Sequence, residues 1–403
     1  MHFPLLLAVL AVFGLTGSAS AATLAVTTTN DTVAADGQCS LREAITAANL
    51  DTAFNGCAAG SGADIVVLAA GEYRIDRAGA GEDANSTGDL DVRSSLTIQG
   101  AGADVTRIRG DRNDRVFDLA MPGAGQPVAV TITRVTIRNG DGIFGGAILA
   151  AAGASLVVSG CSIVNNTAAQ GAGIASDGSL EVVNSAFHAN AADNGGALWI
   201  SGGPATLRNV TFDSNTSTGS GSVAVFNAPA ILNNVTMTLN IADSDLDDFG
   251  DGALEVNANV SISNSIVARN IDLSLGGSSL VNPDCLVGMN GSLASAGHNI
   301  IGNIGTVCVL GGAQPGDQVG NAAQPINPLL QPFAVYGGTV ETQPPTWASP
   351  ALERGSPAAA GLPGACEADD ARGISRPQGS RCDIGAAELD DLIFRDGFDP
   401  PLP

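Results

Sequence analysis

The sequence predicts an all-β fold: a right-handed parallel β-helix, or solenoid, with a short N-terminal capping helix and a disulfide-containing C-terminal cap. Three observations predict it. The stretch from Val130 to Asn270 repeats about every 25 residues, asparagine recurs at fixed positions of that repeat, and the chain is rich in glycine but poor in aromatic residues. Short units that repeat the same side chains are typical of solenoids, in which successive turns stack on one another.

The repeat is defined by a column of large apolar residues. Apolar or small residues also stand two, five and seven positions before each member of this column, which predicts two short strands of alternating faces joined by a bend. A β-propeller blade needs roughly 40 residues, so these units are too short for that fold. The apolar column begins at Ile137 and continues through Ile163, Phe187, Phe212, Met237 and Val267.

Asparagine occupies two further columns. Asparagine tolerates the left-handed conformation of a bend, and strands of successive turns lie about 4.8 Å apart, so their amides can hydrogen-bond to one another. We therefore expect two structural ladders, and the alternative is that asparagine only marks exposed turns. One column, three residues before the apolar column, contains Asn184, Asn209, Asn234 and Asn264; the other, three residues after it, contains Asn166, Asn190, Asn215, Asn240 and Asn270.

Composition and charge agree with a narrow coil. The 403 residues include 52 glycines and only 4% aromatic residues, which suits an interior of stacked aliphatic side chains with glycine at the corners. The 40 acidic and 17 basic residues give a net charge of −23. This charge disfavours nucleic acid and anionic lipid as partners.

The first residues predict export. An apolar run from Leu5 to Leu15 precedes Ala19, Ser20 and Ala21, the small residues that a signal peptidase needs, so we expect residues 1–21 to be a signal peptide cleaved after Ala21. The mature chain has no apolar stretch long enough for a transmembrane helix. We expect a protein that is secreted or held at the outer surface of a bacterium.

Seven cysteines suit an oxidising compartment. Their spacing suggests three local pairs, although spacing alone leaves the connectivity open. The remaining residue, Cys161, falls in an inward column of the repeat, so we expect a buried, unreactive thiol. The suggested pairs are Cys39 with Cys57, Cys285 with Cys308, and Cys366 with Cys382.

A short helix is predicted directly after Cys39. Ser40 followed by Glu43 is a capping box, and the apolar stripe of the next residues predicts one buried face. Such a helix closes the open end of a solenoid, which otherwise exposes strand edges and apolar interior. The stripe consists of Leu41, Ala44, Ile45 and Ala48.

The same segment resembles a known module. Its sequence, CSLREAI followed by TAAN, is similar to the signature of the CSLREA domain of exported bacterial proteins. Residues 96–102 and 115–117 resemble the start of the right-handed parallel β-helices of the pectin-lyase-like group. Two motifs are similar to repeats of polymorphic outer-membrane proteins: FxxN at Phe187 and Phe212, and GGA at Gly145 and Gly195. This resemblance implies only a β-helical coil for this chain.

The carboxyl-terminal part resembles the choice-of-anchor Q family, whose members close a β-helix. The similarity lies in residues 327–330, 336–339, 355–357 and 381–386. These resemblances imply a fold but no defined activity. They imply a CSLREA cap over 22–63, a β-helix over 64–310, a choice-of-anchor-Q-like cap over 311–389 and a tail over 390–403. The apolar and acidic segment 392–399 of the tail is either a sorting signal or an ordered strand.

Two groups of residues could carry chemistry. His188 and Asp213 fall in one outward column on adjacent turns, where a histidine beside a carboxylate could act as a general base; the alternative is a solvated surface pair. An acidic cluster in the longest repeat unit could bind calcium, and the alternative is a solvated loop. The cluster consists of Asp243, Asp245, Asp247, Asp248 and Asp251.

These observations favour a non-catalytic, adhesin-like exported protein that binds carbohydrate or protein. The alternative is a polysaccharide lyase or glycoside hydrolase on a pectin-lyase-like coil, which would need carboxylates, arginine or histidine clustered in a groove. We expect a monomer with no cofactor; calcium at the acidic cluster is the alternative.

Overall fold

The protein is a parallel β-helix. The computed structural model describes residues 20–119, 127–247, 250, 252–274, 283–312 and 314–390. In these ranges the chain winds repeatedly through three parallel sheets, which we call sheets I, II and III, and this confirms the predicted fold class. Most of the predicted signal peptide and the whole of segment 392–399 lie outside the described residues.

Sheet I forms the longest wall of the coil, with nineteen strands within the described ranges. Most turns contribute two of its strands, which are separated by a bend. The strands are Thr23–Ala25, Asp64–Val67, Gly71–Ile75, Leu96–Gln99, Thr106–Gly110, Val128–Thr133, Thr136–Arg138, Ala154–Ser159, Ser162–Val164, Ser179–His188, Ala205–Asp213, Ala230–Asn233, Thr236–Thr238, Asn259–Ser263, Ile266–Val267, Ser292–Ser295, Ile300–Ile301, Leu310–Gly311 and Gln318–Val319. Its first and last strands lie outside the range 64–310 expected for the coil.

Sheets II and III complete each turn. Sheet II contains Leu90–Val92, Phe117–Leu119, Ile148–Ala150, Ile174–Ser176, Leu198–Ile200, Ala224–Phe226, Leu254–Val256 and Cys285–Val287. Sheet III contains Asp141–Phe144, Thr167–Gln170, Ala191–Asn194, Thr216–Ser217, Ile241–Ala242 and Ile271–Asp272. A small antiparallel hairpin outside the coil joins Ala334–Val335 to Glu341–Thr342.

The core is the stack of inward side chains that the repeat predicts. Each residue of the apolar column pairs in register with the next, and all six members are buried. The rings of Phe187 and Phe212 stack with their centroids 4.9 Å apart. The column also extends to Ile108 before the repeat and Ile301 after it. Successive turns therefore fill the coil with like residues from one end to the other.

The asparagines after the apolar column form a complete buried ladder. In each step the side-chain Nδ2 donates to the Oδ1 of the next asparagine at 2.8–3.0 Å, and the backbone N–H donates to the same oxygen. Asn270 ends the series by donating to Asp284 Oδ1 at 2.9 Å. The ladder satisfies polar groups that the narrow interior would otherwise leave without partners.

The asparagines before the apolar column form the bend but only part of a ladder. All four have left-handed backbones, with φ between 49° and 54°. One side-chain hydrogen bond joins two of them, from Asn209 Nδ2 to Asn184 Oδ1 at 2.9 Å. Asn234 and Asn264 instead bond to residues near the carboxyl terminus, because that segment lies against the bend. A continuous second ladder, as expected from the sequence, is therefore not formed.

The capping helix spans Leu41–Leu50 and has the predicted capping box between Ser40 and Glu43. Arg42 is fully buried and forms a bidentate ion pair with Asp31. The same guanidinium donates to the carbonyls of residues 88 and 89. Arg42 thus holds the helix on the end of the coil.

Three disulfides join the pairs that the spacing suggests: Cys39 with Cys57, Cys285 with Cys308, and Cys366 with Cys382. Cys161 is a buried free thiol, and burial raises its pKa to about 11. None of the described helices is both long and apolar enough to cross a bilayer.

Residues 333–386, which we call the C-terminal strap, run back along the outer face of sheet I. Glu341 accepts a hydrogen bond from Ser162 Oγ, and Gln343 accepts one from Thr238. Farther along, Glu367 contacts Asn233. The strap therefore covers part of the surface where outward columns of the repeat would otherwise meet solvent.

Candidate ligand-binding cleft

The structure brings His188 and Asp213 together, but beneath the strap. Their strands pair in register, and His188 Nδ1 lies 3.1 Å from Asp213 Oδ1. The imidazole stacks on the ring of Phe333, and Asp213 Oδ2 accepts a hydrogen bond from Gln343 at 3.3 Å. The hydrogen bond to Asp213 raises the pKa of His188. Two strap residues thus contact the pair, and the pair anchors the strap.

The acidic cluster is partly described. The carboxylate oxygens of Asp243, Asp245 and Asp247 lie within 4.8 Å of one another, while Asp248 and Asp251 lie outside the described residues. Asp243 is buried and accepts a hydrogen bond from the backbone N–H of Asp247. Calcium binding at this loop stays a prediction.

A cleft of about 300 Å³ lies on the outer face of sheet II. The middle residue of each three-residue strand faces away from the core, and these residues stack in register from turn to turn. In this column Ala175 stands between Leu149 and Trp199. The small side chain of Ala175 lowers the floor of the cleft, and the indole of Trp199 forms one wall.

The turns at both edges of sheet II complete the cleft. Phe144, at the end of a sheet III strand, is 44% exposed and lines one side. Asp177 and Ser201 lie at the opposite edge, where Ser201 Oγ donates to the Asp177 carboxylate. Gly171 has a φ of 61°, and a Cβ at this position would lie 2.9 Å from Trp199 Cβ. Glycine is therefore required for the turn and for the position of the tryptophan.

The inner end of the cleft is formed by a buried carboxyl group. Asp118 is 5% exposed, and its Oδ2 accepts a hydrogen bond from Arg115 Nη1. The same Arg115 nitrogen lies 3.3 Å from Asp89 Oδ2. The Oδ1 atoms of Asp89, Asp91 and Asp118 are buried without a partner. One guanidinium thus serves two carboxyl groups, and Asp91 stands beside Asp118 on the neighbouring strand.

These surroundings favour the protonated acids. Burial, together with the neighbouring carboxylates Asp114 and Asp91, raises the pKa of Asp89 to about 8. Burial raises the pKa of Asp91 to about 6 and also raises the pKa of Asp118. Perturbed carboxyl groups at a concave surface are typical of functional sites. Asp118 can donate or accept a hydrogen bond in the cleft, depending on its protonation.

A second, larger cavity of about 500 Å³ lies in the C-terminal cap, between Tyr336, Trp347 and Arg372. All three guanidinium nitrogens of Arg372 already donate to Asp370, to the carbonyl of Tyr336 or to that of Glu388. The cleft on sheet II differs because burial raises the pKa of its carboxyl group, Asp118. We therefore regard the cleft on sheet II as the better candidate site.

The sequence contains a signal for this cleft that lies outside the columns of sheet I. The GGA motif at Gly195 places Trp199 four residues later, and the GGA motif at Gly145 places Leu149 at the same offset. Aligning the residues after these motifs would have shown an outward column containing one tryptophan. Asp118 could not be found this way, because it precedes the regular repeats.

Comparison with protein-family models, with curated proteins and with solved structures finds no match to this chain.

Proposed function

We propose that the protein is an exported, adhesin-like β-helix that binds carbohydrate through the cleft on sheet II. The observation that carries the proposal is the combination of an indole wall, a second aromatic side chain and carboxyl groups at both ends of one cleft. A sugar ring has an apolar C–H face, which can pack on Trp199, and hydroxyl groups at its edge, which can bond to Asp118 and Asp177.

The dimensions of the cleft support a small ligand unit. Its volume of about 300 Å³ is at the low end of the range for small-molecule sites. A short saccharide or the end of a glycan therefore fits better than a long segment of polymer.

The apolar run before Ala21, and the resemblance to CSLREA and choice-of-anchor Q proteins, support a location outside the cell.

The chain offers a matched pair of tryptophans for the test. It contains two, Trp199 in the cleft and Trp347 in the C-terminal cap. We expect the mature protein to bind a set of glycans on an array, Trp199→Ala to weaken that binding about tenfold or more, and Trp347→Ala to leave it unchanged. The expected loss follows from removing the stacking surface, which contributes on the order of 1.5 kcal/mol.

A direct measurement follows from the same pair. In Trp347→Phe the indole of Trp199 is the remaining tryptophan, so its fluorescence should change on titration with a glycan identified on the array. Unchanged melting temperatures would show that both alanine variants are folded. Equal binding by Trp199→Ala and the wild type would exclude the cleft.

The raised pKa of Asp118 favours a second candidate function, hydrolysis of a glycosidic bond in the same cleft. Asp118 would protonate the leaving oxygen as the glycosidic bond breaks, and Asp177 would take a proton from the water molecule whose oxygen bonds to the anomeric carbon. We expect Asp118→Asn to abolish the release of reducing ends while keeping glycan binding. The exposed Asp193→Asn is the control. Binding without any release of reducing ends by the wild type would exclude hydrolysis.

A further inference from the structure

Sheet I carries a column of arginines on its outer face near the N-terminal end. Arg74 pairs in register with Arg109, and Arg109 pairs with Arg138, so three adjacent strands place a guanidinium at the same position. Farther along the coil the same column contains His188 and Asp213, which the strap covers. The chain has no lysine, and arginine supplies all 17 of its basic side chains.

One carboxylate, Glu72, forms ion pairs with this column among the described residues. Arg138 donates to Glu72 Oε2. Arg74 Nε and Arg109 Nη1 lie 3.8 and 3.9 Å from Glu72 Oε1, which is beyond hydrogen-bond distance. Three guanidinium groups against one carboxylate leave two positive charges on the column.

The column also has hydrogen-bond donors without partners. Within the described ranges, the guanidinium groups of Arg74 and Arg109 donate no hydrogen bond to the protein. The Nε of Arg138 is buried without a partner. Like charges on strands about 4.8 Å apart repel one another, and an external anion would relieve that repulsion and accept hydrogen bonds from the exposed guanidinium groups of Arg74 and Arg109.

The side chains are accessible to a ligand. The exposed fractions of the Arg74, Arg109 and Arg138 side chains are 60%, 31% and 33%. Guanidinium groups match the two oxygens of a carboxylate or sulfate with parallel hydrogen bonds. The column spans two strand spacings, about 10 Å, so it can contact two or three oxyanions along the axis of the coil.

We propose that this arginine column binds an anionic glycan, whose sulfate or carboxylate groups lie against the three guanidinium groups. The net charge of −23 repels a long polyanion such as nucleic acid, whereas a glycan with a few charged groups meets the column locally. This site is on a different sheet from the cleft beside Trp199 and does not depend on carbohydrate binding there.

The test compares a short sulfated oligosaccharide and a short oligogalacturonide with a neutral oligosaccharide of the same length, at low and at physiological salt. We expect the protein to bind at least one of the two anionic oligosaccharides and not the neutral one. The double variant Arg74→Gln/Arg109→Gln should bind about tenfold more weakly, with a shallower dependence on salt. Preference between sulfate and carboxylate identifies the oxyanion.

A charge-matched control separates the column from the overall charge. The double variant Arg354→Gln/Arg381→Gln removes two positive charges from exposed positions in the C-terminal cap and should bind as the wild type does. Equal weakening by both double variants, no binding of either anionic oligosaccharide, or tighter binding of single-stranded DNA would overturn the proposal. Trp199→Ala should leave this binding unchanged, so the two sites fail or succeed separately.

Discussion

At the scale of single residues, the buried asparagine ladder shows how a polar group is held inside an aliphatic coil. Asn215 is fully buried, and its Oδ1 accepts from both the backbone N–H and the Nδ2 of Asn190. Its own Nδ2 donates to Asn240 Oδ1 and to the carbonyl of Phe187. Every turn repeats these bonds, so the removal of one amide leaves partners unsatisfied on both neighbouring turns.

We therefore expect Asn215→Ala to lower the free energy of unfolding by about 3–5 kcal/mol, because several buried donors and acceptors lose their partners. Urea unfolding of the protein, followed by circular dichroism, measures the change. The control is Asn290→Ala, which truncates an exposed asparagine in a turn. Equal stability of the two variants would show that water or rearranged side chains satisfy the ladder.

At the scale of elements, the regular strands could be predicted and the strap could not. The apolar columns follow from a period that the chain repeats with like residues, so register and burial can be read from one turn to the next. The strap has no such period. Its placement depends on contacts over more than a hundred residues, such as Gln343 with Asp213, that no local pattern indicates.

The two asparagine columns illustrate the same limit. Their spacing predicted the left-handed bend correctly, because the backbone conformation is a local property of asparagine. The prediction of a ladder along the column before the apolar column was wrong, because Asn234 and Asn264 hydrogen-bond to residues of the strap instead of to each other's amides. A column pattern predicts which residues are neighbours, but it does not predict which of the neighbouring groups forms the hydrogen bond.

The sequence also predicted some features of the candidate sites and not others. The pairing of His188 with Asp213 followed from the repeat, whereas their coverage by Phe333 did not. Extending the repeat back by two turns would have revealed the arginine column. Arg138 directly follows Ile137 of the apolar column, as His188 follows Phe187. Turns of irregular length between Ile75 and Val128 hid Arg74 and Arg109 from that alignment.

At the scale of the whole molecule, the buried acids and the negative net charge both make the folded protein less stable as the pH rises. Burial raises the pKa of Asp284, at the end of the ladder, to about 7, and raises that of Asp89 to about 8. Each group stays protonated in the folded protein over a range of pH in which it is ionised in the unfolded chain. Ionisation also increases the self-repulsion of a chain that already has a net charge of −23.

The sign of the pH dependence follows from these shifts. Between about pH 4 and pH 8 the folded protein binds more protons than the unfolded chain, so the free energy of unfolding falls as the pH rises, by up to about 1.4 kcal/mol per pH unit for each such group. His188 acts in the same sense, because its raised pKa gives stability at low pH that is lost as the pH rises through that pKa.

We expect the melting temperature of the protein to be several degrees higher at pH 5 than at pH 8. Asp89→Asn should flatten this dependence, because the amide is neutral at every pH and its oxygen can still accept from Arg115. The exposed Asp193→Asn should keep the wild-type slope. Calorimetric scans at half-unit steps of pH measure both. A melting temperature that rises from pH 5 to pH 8 would mean that the buried carboxyl groups ionise at their ordinary pKa, and Asp118 would then be a carboxylate at neutral pH and not a proton donor in the cleft.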